Sequence, residues 1–297
     1  MTTTPRENHT AIPKGRDAVL LTIGILGIGT SGPLIALSLI PIPTLVMWRN
    51  FGGAMIMAPF ALTKREWRNV GASPAIKLSL VAGVVLAFHF LAFFGAMRMT
   101  SVAAGTAITT MQPVFAALYL SLRGHHIPRR AWIGLLIAVL SVLLITGVDF
   151  SISLRSFLGD ISAIVGAALS ATYVIIGGKA QEKLSTSTYT FFCYGACALT
   201  ALPISWVIYR NLIHFPIHQW LLVLALIVGA QIFGHTMFNF SLKRVSPAVV
   251  SLIVFFEVPV SALLAGWWLH QKPPAGTIPG IVGLLVGCAA FVWVDKS

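Results

Sequence analysis

Charged residues and cysteines are both scarce in this sequence. Only 9% of the 297 residues are charged and 57% are hydrophobic, whereas ordinary soluble domains carry about 25% charged residues. A globular enzyme with a solvated surface is therefore excluded. Three cysteines are too few for a disulfide framework. Cys193 and Cys197 lie one helical turn apart and fit small packing residues of an apolar helix better than metal ligands.

The motifs of soluble enzymes are also missing. The sequence contains neither a phosphate-binding loop of the form G-x-x-x-x-G-K-[ST] nor the metalloprotease pattern H-E-x-x-H. An enzyme embedded in the membrane would need a nucleophile or a metal cluster, and only scattered polar residues are found. We therefore predict that the protein is not an enzyme and has no catalytic residues and no metal site.

Long apolar runs are what the sequence does contain. Helices of about 20 apolar residues cross the hydrocarbon core of a bilayer. We therefore predict an all-α membrane protein of ten transmembrane helices, in contact with the lipid bilayer. The predicted spans lie near residues 18–40, 44–63, 76–97, 102–121, 130–148, 158–178, 187–208, 219–241, 246–268 and 277–294.

Basic residues predict the orientation of these spans. A net charge of +12 could indicate nucleic acid binding, but Lys and Arg at the ends of membrane spans are enriched on the cytoplasmic side. With the amino terminus inside, fifteen of the 20 Lys and Arg residues fall in cytoplasmic segments, and Arg49 falls within the second span. The four outside are Arg98, Arg155, Arg210 and Lys272. Both termini are predicted to be cytoplasmic, and no nucleic acid partner is expected.

Similar residues recur 145 or 146 positions apart. The pairs are Gly83 with Gly229, His89 with His235, Ser101 with Ser246, Gln112 with Glu257, and Gly134 with Gly280. A constant offset across three successive helices indicates an internal repeat of five spans. Because five is odd, the second copy enters the membrane from the opposite side, and the two copies are inverted. Inverted repeats favour alternating access to a solute site near the midplane.

The repeat also defines the predicted domain boundaries. A cytoplasmic tail occupies residues 1–17, the first five-helix repeat occupies 18–148, and the second, inverted repeat with a short cytoplasmic carboxyl terminus occupies 149–297.

Gln112 and Glu257 occupy matching depths of the fourth and ninth spans. Ionisable residues in a span cost several kcal/mol unless they face a cavity or a partner. Both side chains could therefore line a central pathway, where the carboxylate would bind an ammonium group or take up a proton. Alternatively, Glu257 is uncharged and hydrogen-bonded between helices, beside kinks at Pro113 and Pro259 that free backbone carbonyls.

The paired histidines are the second candidate feature of a solute site. His89 shares a helical face with Phe93, four residues on, and His235 shares one with three other polar or aromatic residues. A mixed aromatic and amide face suits an organic solute. The side chains predicted to line this cavity are His89, Phe93, Gln231, His235, Phe238 and Asn239. No Asp, Glu or Cys lies near either histidine in sequence to complete a metal ligand set.

Three further residues are candidates for substrate binding. Arg49, beside Trp48 near the start of the second span, could attract a carboxylate, although such an arginine more often extends to the membrane interface. Tyr173 shares a helical face with Gly166 and Ser170 and could reach the pathway, or it could belong to the core.

Local motifs in each half resemble a known transporter family. The run from Phe94 to Leu144 contains A-M-R-M-T-S at 96–101, M-Q-P-V-F at 111–115 and W-I-G at 132–134. The run from Ser241 to Phe291 contains F-E-V-P at 256–259, with its proline displaced by one position. These runs resemble the EamA repeat of the drug/metabolite transporter superfamily over essentially the whole chain. The chain is most similar to the YddG-type exporters of aromatic and other neutral amino acids.

The resemblance implies a ten-helix exporter of small metabolites in a bacterial inner (plasma) membrane, with no cofactor. It places Gln112 and Glu257 at the Q-P and E-P positions of the family. We expect export of aromatic and other neutral amino acids by alternating access. The alternative is a proton-coupled exporter of drugs or organic cations that uses Glu257. The sequence is compatible with a monomer or a homodimer.

Overall fold

All regular secondary structure is helical in the part of the chain that the computed structural model describes, which comprises residues 13, 15–69, 72–124, 127–146, 153–245, 247–271 and 276–292. The predicted all-α class is confirmed. The α-helices are α1 Arg16–Gly29, α2 Ser31–Leu37, α3 Ile42–Lys64, α4 Ser73–Met99, α5 Val102–Thr109, α6 Gln112–Leu122, α7 Arg129–Thr146, α8 Leu154–Gln181, α9 Thr186–Tyr209, α10 Ile217–Ala225, α11 Met237–Ser241, α12 Pro247–Ile253, α13 Glu257–Trp268 and α14 Thr277–Val292. Ser246 and Lys272 lie outside the described residues.

Within the described residues, six helical segments are long and apolar enough to cross a membrane, and two more are apolar but shorter. A helix rises about 1.5 Å per residue, so about 20 residues cover the hydrocarbon core. The long segments are Arg16–Leu37, Ile42–Lys64, Ser73–Met99, Leu154–Gln181, Thr186–Tyr209 and Ile217–Ser241, and the shorter ones are Val254–Leu269 and Ile278–Gly287. Large apolar side chains such as Val207, Leu263 and Ile278 are exposed on the outer surface, as a lipid environment requires.

Four of the predicted spans contain interruptions. Thr30 separates α1 from α2, and residues 110–111 separate α5 from α6. A π-helical stretch, Leu226–Thr236, joins α10 to α11, and a 3-10 turn, Val254–Phe256, joins α12 to α13.

The two prolines predicted to kink spans begin new helices instead. Pro113 and Pro259 each lie in the first turn of a helix, α6 and α13. The first turn tolerates proline because its backbone N–H groups have no partner within the helix. Gln112 and Glu257 are consequently the first residues of their helices.

Each of the main helix pairs joins a helix from the first half of the chain to one from the second half. Helix α3 packs against α9, α7 against α14, α4 against α8, and α1 against the π-helical stretch, while α5 contacts α13 and α6 contacts α12. Small residues permit the close approaches. A side chain at Gly287 would lie 2.7 Å from the Gly134 carbonyl oxygen of α7. The small-residue pair Gly283 and Gly287 therefore serves packing within the chain.

Candidate functional site

A cavity lies where the interrupted helices meet α4 and α8. Its volume is about 40 Å3, which is room for a few water molecules. A solute the size of an amino acid therefore requires the helices to move apart. The lining residues are Ile28, Ser31, His89, Phe93, Thr109, Thr110, Gln112, Ser170, Tyr173, Val174, His235, Phe238, Asn239, Leu242, Val250, Val254 and Glu257.

Aromatic rings form one part of the lining. The rings of His89 and His235 meet edge-on with centroids 6.5 Å apart, and Phe93 is stacked parallel to His89 at 6.0 Å. The Nδ1 atom of His89 lies 2.8 Å from the carbonyl oxygen of Gly166. Because a carbonyl only accepts, Nδ1 donates this hydrogen bond, which fixes the ring orientation. The Tyr173 ring lies 6.4 Å from His235, so the two repeat-related histidines share one aromatic wall.

Polar side chains form the remainder of the lining. The Ser170 hydroxyl donates a hydrogen bond to the amide oxygen of Gln112, and Asn239 Nδ2 donates to the Tyr173 hydroxyl at 2.7 Å. Glu257 is only 5% exposed. The described residues provide its carboxyl group with no hydrogen bond. The cavity therefore presents a carboxyl group, an amide and a hydroxyl opposite apolar rings.

Eight of the eleven predicted site residues line this cavity. They are His89, Phe93, Gln112, Tyr173, His235, Phe238, Asn239 and Glu257. The three that do not line it are Trp48, Arg49 and Gln231.

Trp48 lies at one end of the bundle. Its indole N–H donates to the Leu212 carbonyl oxygen at 2.6 Å, and its ring packs edge-on against Trp220 with centroids 5.2 Å apart. It joins α3 to the connection between α9 and α10.

Arg49 points into the protein and does not extend to the interface. It is fully buried. Its Nε donates to the amide oxygen of Gln231 at 2.7 Å, and its Nη1 donates to the Ser31 hydroxyl at 3.3 Å. The predicted common face of Gln231 and His235 is wrong in this respect, because Gln231 turns toward α3 whereas His235 turns into the cavity. These two residues lie in the π-helical stretch, where the rotation per residue differs from that of an α-helix.

Several lining residues were not predicted from the sequence. Thr109 and Thr110 line the cavity because α5 ends there, and Ser31 does so because α2 begins there. Pro113 was the available signal for the first break, since a proline in the first turn marks a helix start. Ser170 was noted only as a neighbour of Tyr173. Among the described residues, no group of three or more His, Cys, Asp or Glu side chains could hold a metal ion.

One end of the bundle is tied together by a set of contacts that we term the Arg98 clasp. Arg98, at the end of α4, donates through Nη2 to the carbonyl oxygens of Ser38 and Ile40, at 2.8 and 2.6 Å. The amide oxygen of Gln219, in α10, accepts from the Leu39 backbone N–H at 2.7 Å. The connection between α2 and α3 is thereby fixed to two other helices.

The other end carries the termini of α1, α3, α9 and α11. Glu66 accepts hydrogen bonds from the Ser185 amide and hydroxyl, at 2.8 and 2.9 Å. Partial burial alone would raise the pKa of the Glu66 carboxyl, but these hydrogen bonds outweigh it and lower the pKa below its usual value. Arg244 forms an ion pair with Asp17 at 2.6 Å. The lining residue Leu242 is two positions from Arg244, so the cavity extends toward this end.

Comparison with known proteins decides the family. The model of the EamA-like transporter family matches residues 17–147 and again residues 157–293. The chain belongs to the EamA-like transporter family. The predicted resemblance is thus confirmed, and this EamA-like protein is a multi-pass membrane transporter and not an enzyme.

Alignments with individual relatives of this EamA-like transporter cover most of the chain. The pseudopaline exporter CntI of Pseudomonas aeruginosa (strain UCBPP-PA14) is 27% identical over 266 residues, covering 87% of this chain and 88% of the exporter. A transporter from Archaeoglobus fulgidus described as uncharacterized is 23% identical over 248 residues, covering 82% and 85%. A solved crystal structure superposes with a TM-score of 0.73 over 94% of this chain and 96% of its own, at 17% identity. That likeness concerns the fold alone.

Proposed function

We propose that this EamA-like transporter crosses the membrane ten times as two inverted five-helix repeats. Three observations support the proposal. The family model matches the chain twice. Helices α3, α4 and α7 recur about 145 positions on as α9, the segment from α10 to α11, and α14. The helix pairs α3–α9 and α7–α14 would each lie across a pseudo-two-fold axis, and the pair α4–α8 would be exchanged with that of α1 and the π-helical stretch.

The orientation follows from the basic residues. With both termini cytoplasmic, the end of the bundle that carries Glu66 faces the cytoplasm and the Arg98 clasp faces outward. The cavity then extends toward the cytoplasm, while the outer end is held closed. An exporter in a bacterial inner membrane needs this arrangement to bind its solute from the cytoplasm.

The proposed solutes are amino acids with bulky apolar side chains, and related small metabolites. The observation that carries this proposal is the division of the cavity into an aromatic wall around His89 and His235 and a polar part at Gln112 and Glu257. The rings would take the side chain of the solute, and the polar groups would meet its charged groups. The Pseudomonas relative, a pseudopaline exporter, supports export of a small metabolite and does not bear on amino acids in particular.

Efflux of L-phenylalanine from proteoliposomes tests the assignment. We expect His89→Ala and His235→Ala each to lower the transport rate about tenfold, because loss of a ring contact of about 1 kcal/mol and its cavity weakens binding. His218→Ala, at an exposed histidine of α10, is the matched control and should transport normally. Wild-type rates in both cavity variants would rule out the cavity as the solute site.

Proton-coupled export of a drug or organic cation is the second candidate. It is favoured by one observation: Glu257 is a buried carboxyl group in the cavity wall to which the described residues donate no hydrogen bond. Glu257→Gln should then abolish transport driven by a pH gradient and leave exchange of a neutral solute unchanged. If both processes continue at the wild-type rate, Glu257 carries no coupling proton.

A further inference from the structure

Arg49 is a buried charge without a counter-ion in contact. Its side chain is 0% exposed, two helical turns from the start of α3. Glu257 attracts it electrostatically, but no carboxylate of the described residues forms a salt bridge with its guanidinium. A charge held in this way costs several kcal/mol relative to water.

The guanidinium is only partly satisfied by neutral oxygens. Gln231 and Ser31 each accept one hydrogen bond, the second of them long at 3.3 Å. The Nη2 atom is buried, and none of the residues that the structure describes offers it a hydrogen-bond acceptor. The face of Phe90 lies 4.2 Å beneath the guanidinium carbon and orients its plane. The edge formed by Nη1 and Nη2 thus has one long hydrogen bond and, among the described residues, no acceptor at Nη2. Such an edge matches a carboxylate in two parallel bonds.

Ser31, and not Gln231, is the acceptor that a solute can replace, because Gln231 is held in place by other contacts. Gln231 has a second anchor, because its Nε2 donates to Asn50 Oδ1 at 3.1 Å. Gly53 leaves room for it, since a Cβ there would lie 2.8 Å from Gln231 Cγ. Ser31 lines the cavity and is the side chain that stands between the cavity and Arg49. Ser31 therefore contacts both the cavity and the guanidinium, and it is the point at which a solute could reach Arg49 when the helices move apart.

We propose that Arg49 is the carboxylate-binding subsite of the transporter, reached from the cavity through Ser31. The Ser31 oxygen at Nη1 and the unpartnered Nη2 mark the positions that the two carboxylate oxygens take when the solute is bound, while Gln231 keeps its bond to Nε. Glu257 lies on the cavity side and receives the ammonium group, so the recognised class is zwitterionic amino carboxylates rather than simple amines. This inference rests on the proposed function and specifies the charge pattern of its solute.

Thermal unfolding of the purified protein in detergent, with three small aromatic probes, tests the subsite. Benzoate carries the carboxylate, benzyl alcohol is its neutral counterpart, and benzylamine carries the opposite charge. Ionic strength is kept constant by exchanging chloride. A ligand that binds the folded state raises the unfolding midpoint, and the stabilisation grows with the logarithm of one plus its concentration over Kd. The variants are Arg49→Gln and Arg49→Lys. The matched control is Arg123→Gln, at an exposed arginine that contacts the Tyr119 ring.

Wild type and Arg123→Gln should be stabilised more by benzoate than by benzyl alcohol. Arg49→Gln should lose this difference and keep its response to benzylamine. Arg49→Lys, which keeps the charge and loses the fork, should weaken benzoate binding about tenfold, and it decides the question if Arg49→Gln does not fold. The subsite is disproved if benzoate is no better than benzyl alcohol on the wild type. It is equally disproved if both Arg49 variants bind benzoate normally, or if Arg123→Gln loses binding as well.

Failure of the proposed function and failure of the Arg49 subsite give different results. If benzoate binds through Arg49 but L-phenylalanine is not exported, the amino acid proposal is wrong and the subsite stands. If L-phenylalanine is exported at equal rates by wild type and Arg49→Lys and benzoate does not bind, the subsite is wrong and the export proposal stands.

Discussion

The two ends of the helix bundle are held by different kinds of contact. At one end, the Arg98 clasp joins a partly buried guanidinium to backbone carbonyls of the connection between α2 and α3. At the other, Arg244 and Asp17 are paired with 45% and 16% of their side chains exposed, and the cavity extends toward them. Desolvated charge-assisted bonds are stronger than exposed ion pairs. The difference indicates that the Arg98 clasp resists separation more strongly than the Arg244–Asp17 pair does.

Removal of the clasp should have the largest effect on this contrast. Arg98→Ala deletes two charge-assisted hydrogen bonds, each worth about 1.5–3 kcal/mol, and should favour opening at the Arg98 end. The readout is the rate at which a membrane-impermeant maleimide labels Thr110→Cys, a cavity-lining position, in a protein whose native cysteines are replaced by serine. We expect labelling from the Arg98 side to accelerate about tenfold or more, since about 1.4 kcal/mol corresponds to a factor of ten.

Arg210→Ala is the control for that experiment. Arg210 is an exposed basic residue that ends α9, near the same end of the bundle. Its removal should leave the labelling rate unchanged. Equal labelling of the Arg98→Ala and wild-type proteins would mean that the clasp is not what closes this end.

The cavity illustrates what the sequence could predict. Apolar run length and the spacing of polar residues led to eight of the residues that line it, because lipid leaves few reasons for His89, Gln112 or Glu257 to occur within an apolar segment. The helical class followed from the same constraint, since backbone groups in lipid must be paired within the segment.

The direction of the Arg49 side chain could not be predicted in this way. It depends on Gln231, which is 182 positions away in sequence, and on a π-helical stretch that no sequence pattern predicted. Ser31 and Thr110 reach the cavity only because helices end or begin beside them. Such breaks follow from local backbone pairing and tertiary packing, on which hydropathy carries no information.

At the opposite end, Glu66 should contribute a smaller, pH-dependent stabilisation. Its pKa is lowered, so its contribution is fully present above the ordinary carboxyl pKa of about 4.3. It is lost as the pH falls through the lowered value. Glu66→Gln should therefore lower the free energy of unfolding at pH 7 by about 1 kcal/mol, which appears as a lower thermal midpoint. In acid, the midpoints of the variant and the wild type should become equal. Glu182→Gln, at an exposed carboxyl group just beyond α8, should match wild type throughout. A deficit for Glu66→Gln that persists unchanged in acid would contradict this account.

Removal of the Arg244–Asp17 ion pair should have the smallest effect on stability. The size of that effect tests directly whether the two ends of the bundle differ in strength. Asp17→Asn removes the charge that Arg244 contacts through two nitrogens, but exposed pairs contribute about 0.2–1 kcal/mol and are weakened by salt. We expect a small drop in the thermal midpoint at low salt that disappears near 1 M NaCl, and unchanged maleimide labelling from the Arg98 side. A loss as large as that of Arg98→Ala would show that both ends are closed with comparable strength. The Arg244 end would then have to be unlocked before solute could reach the cavity.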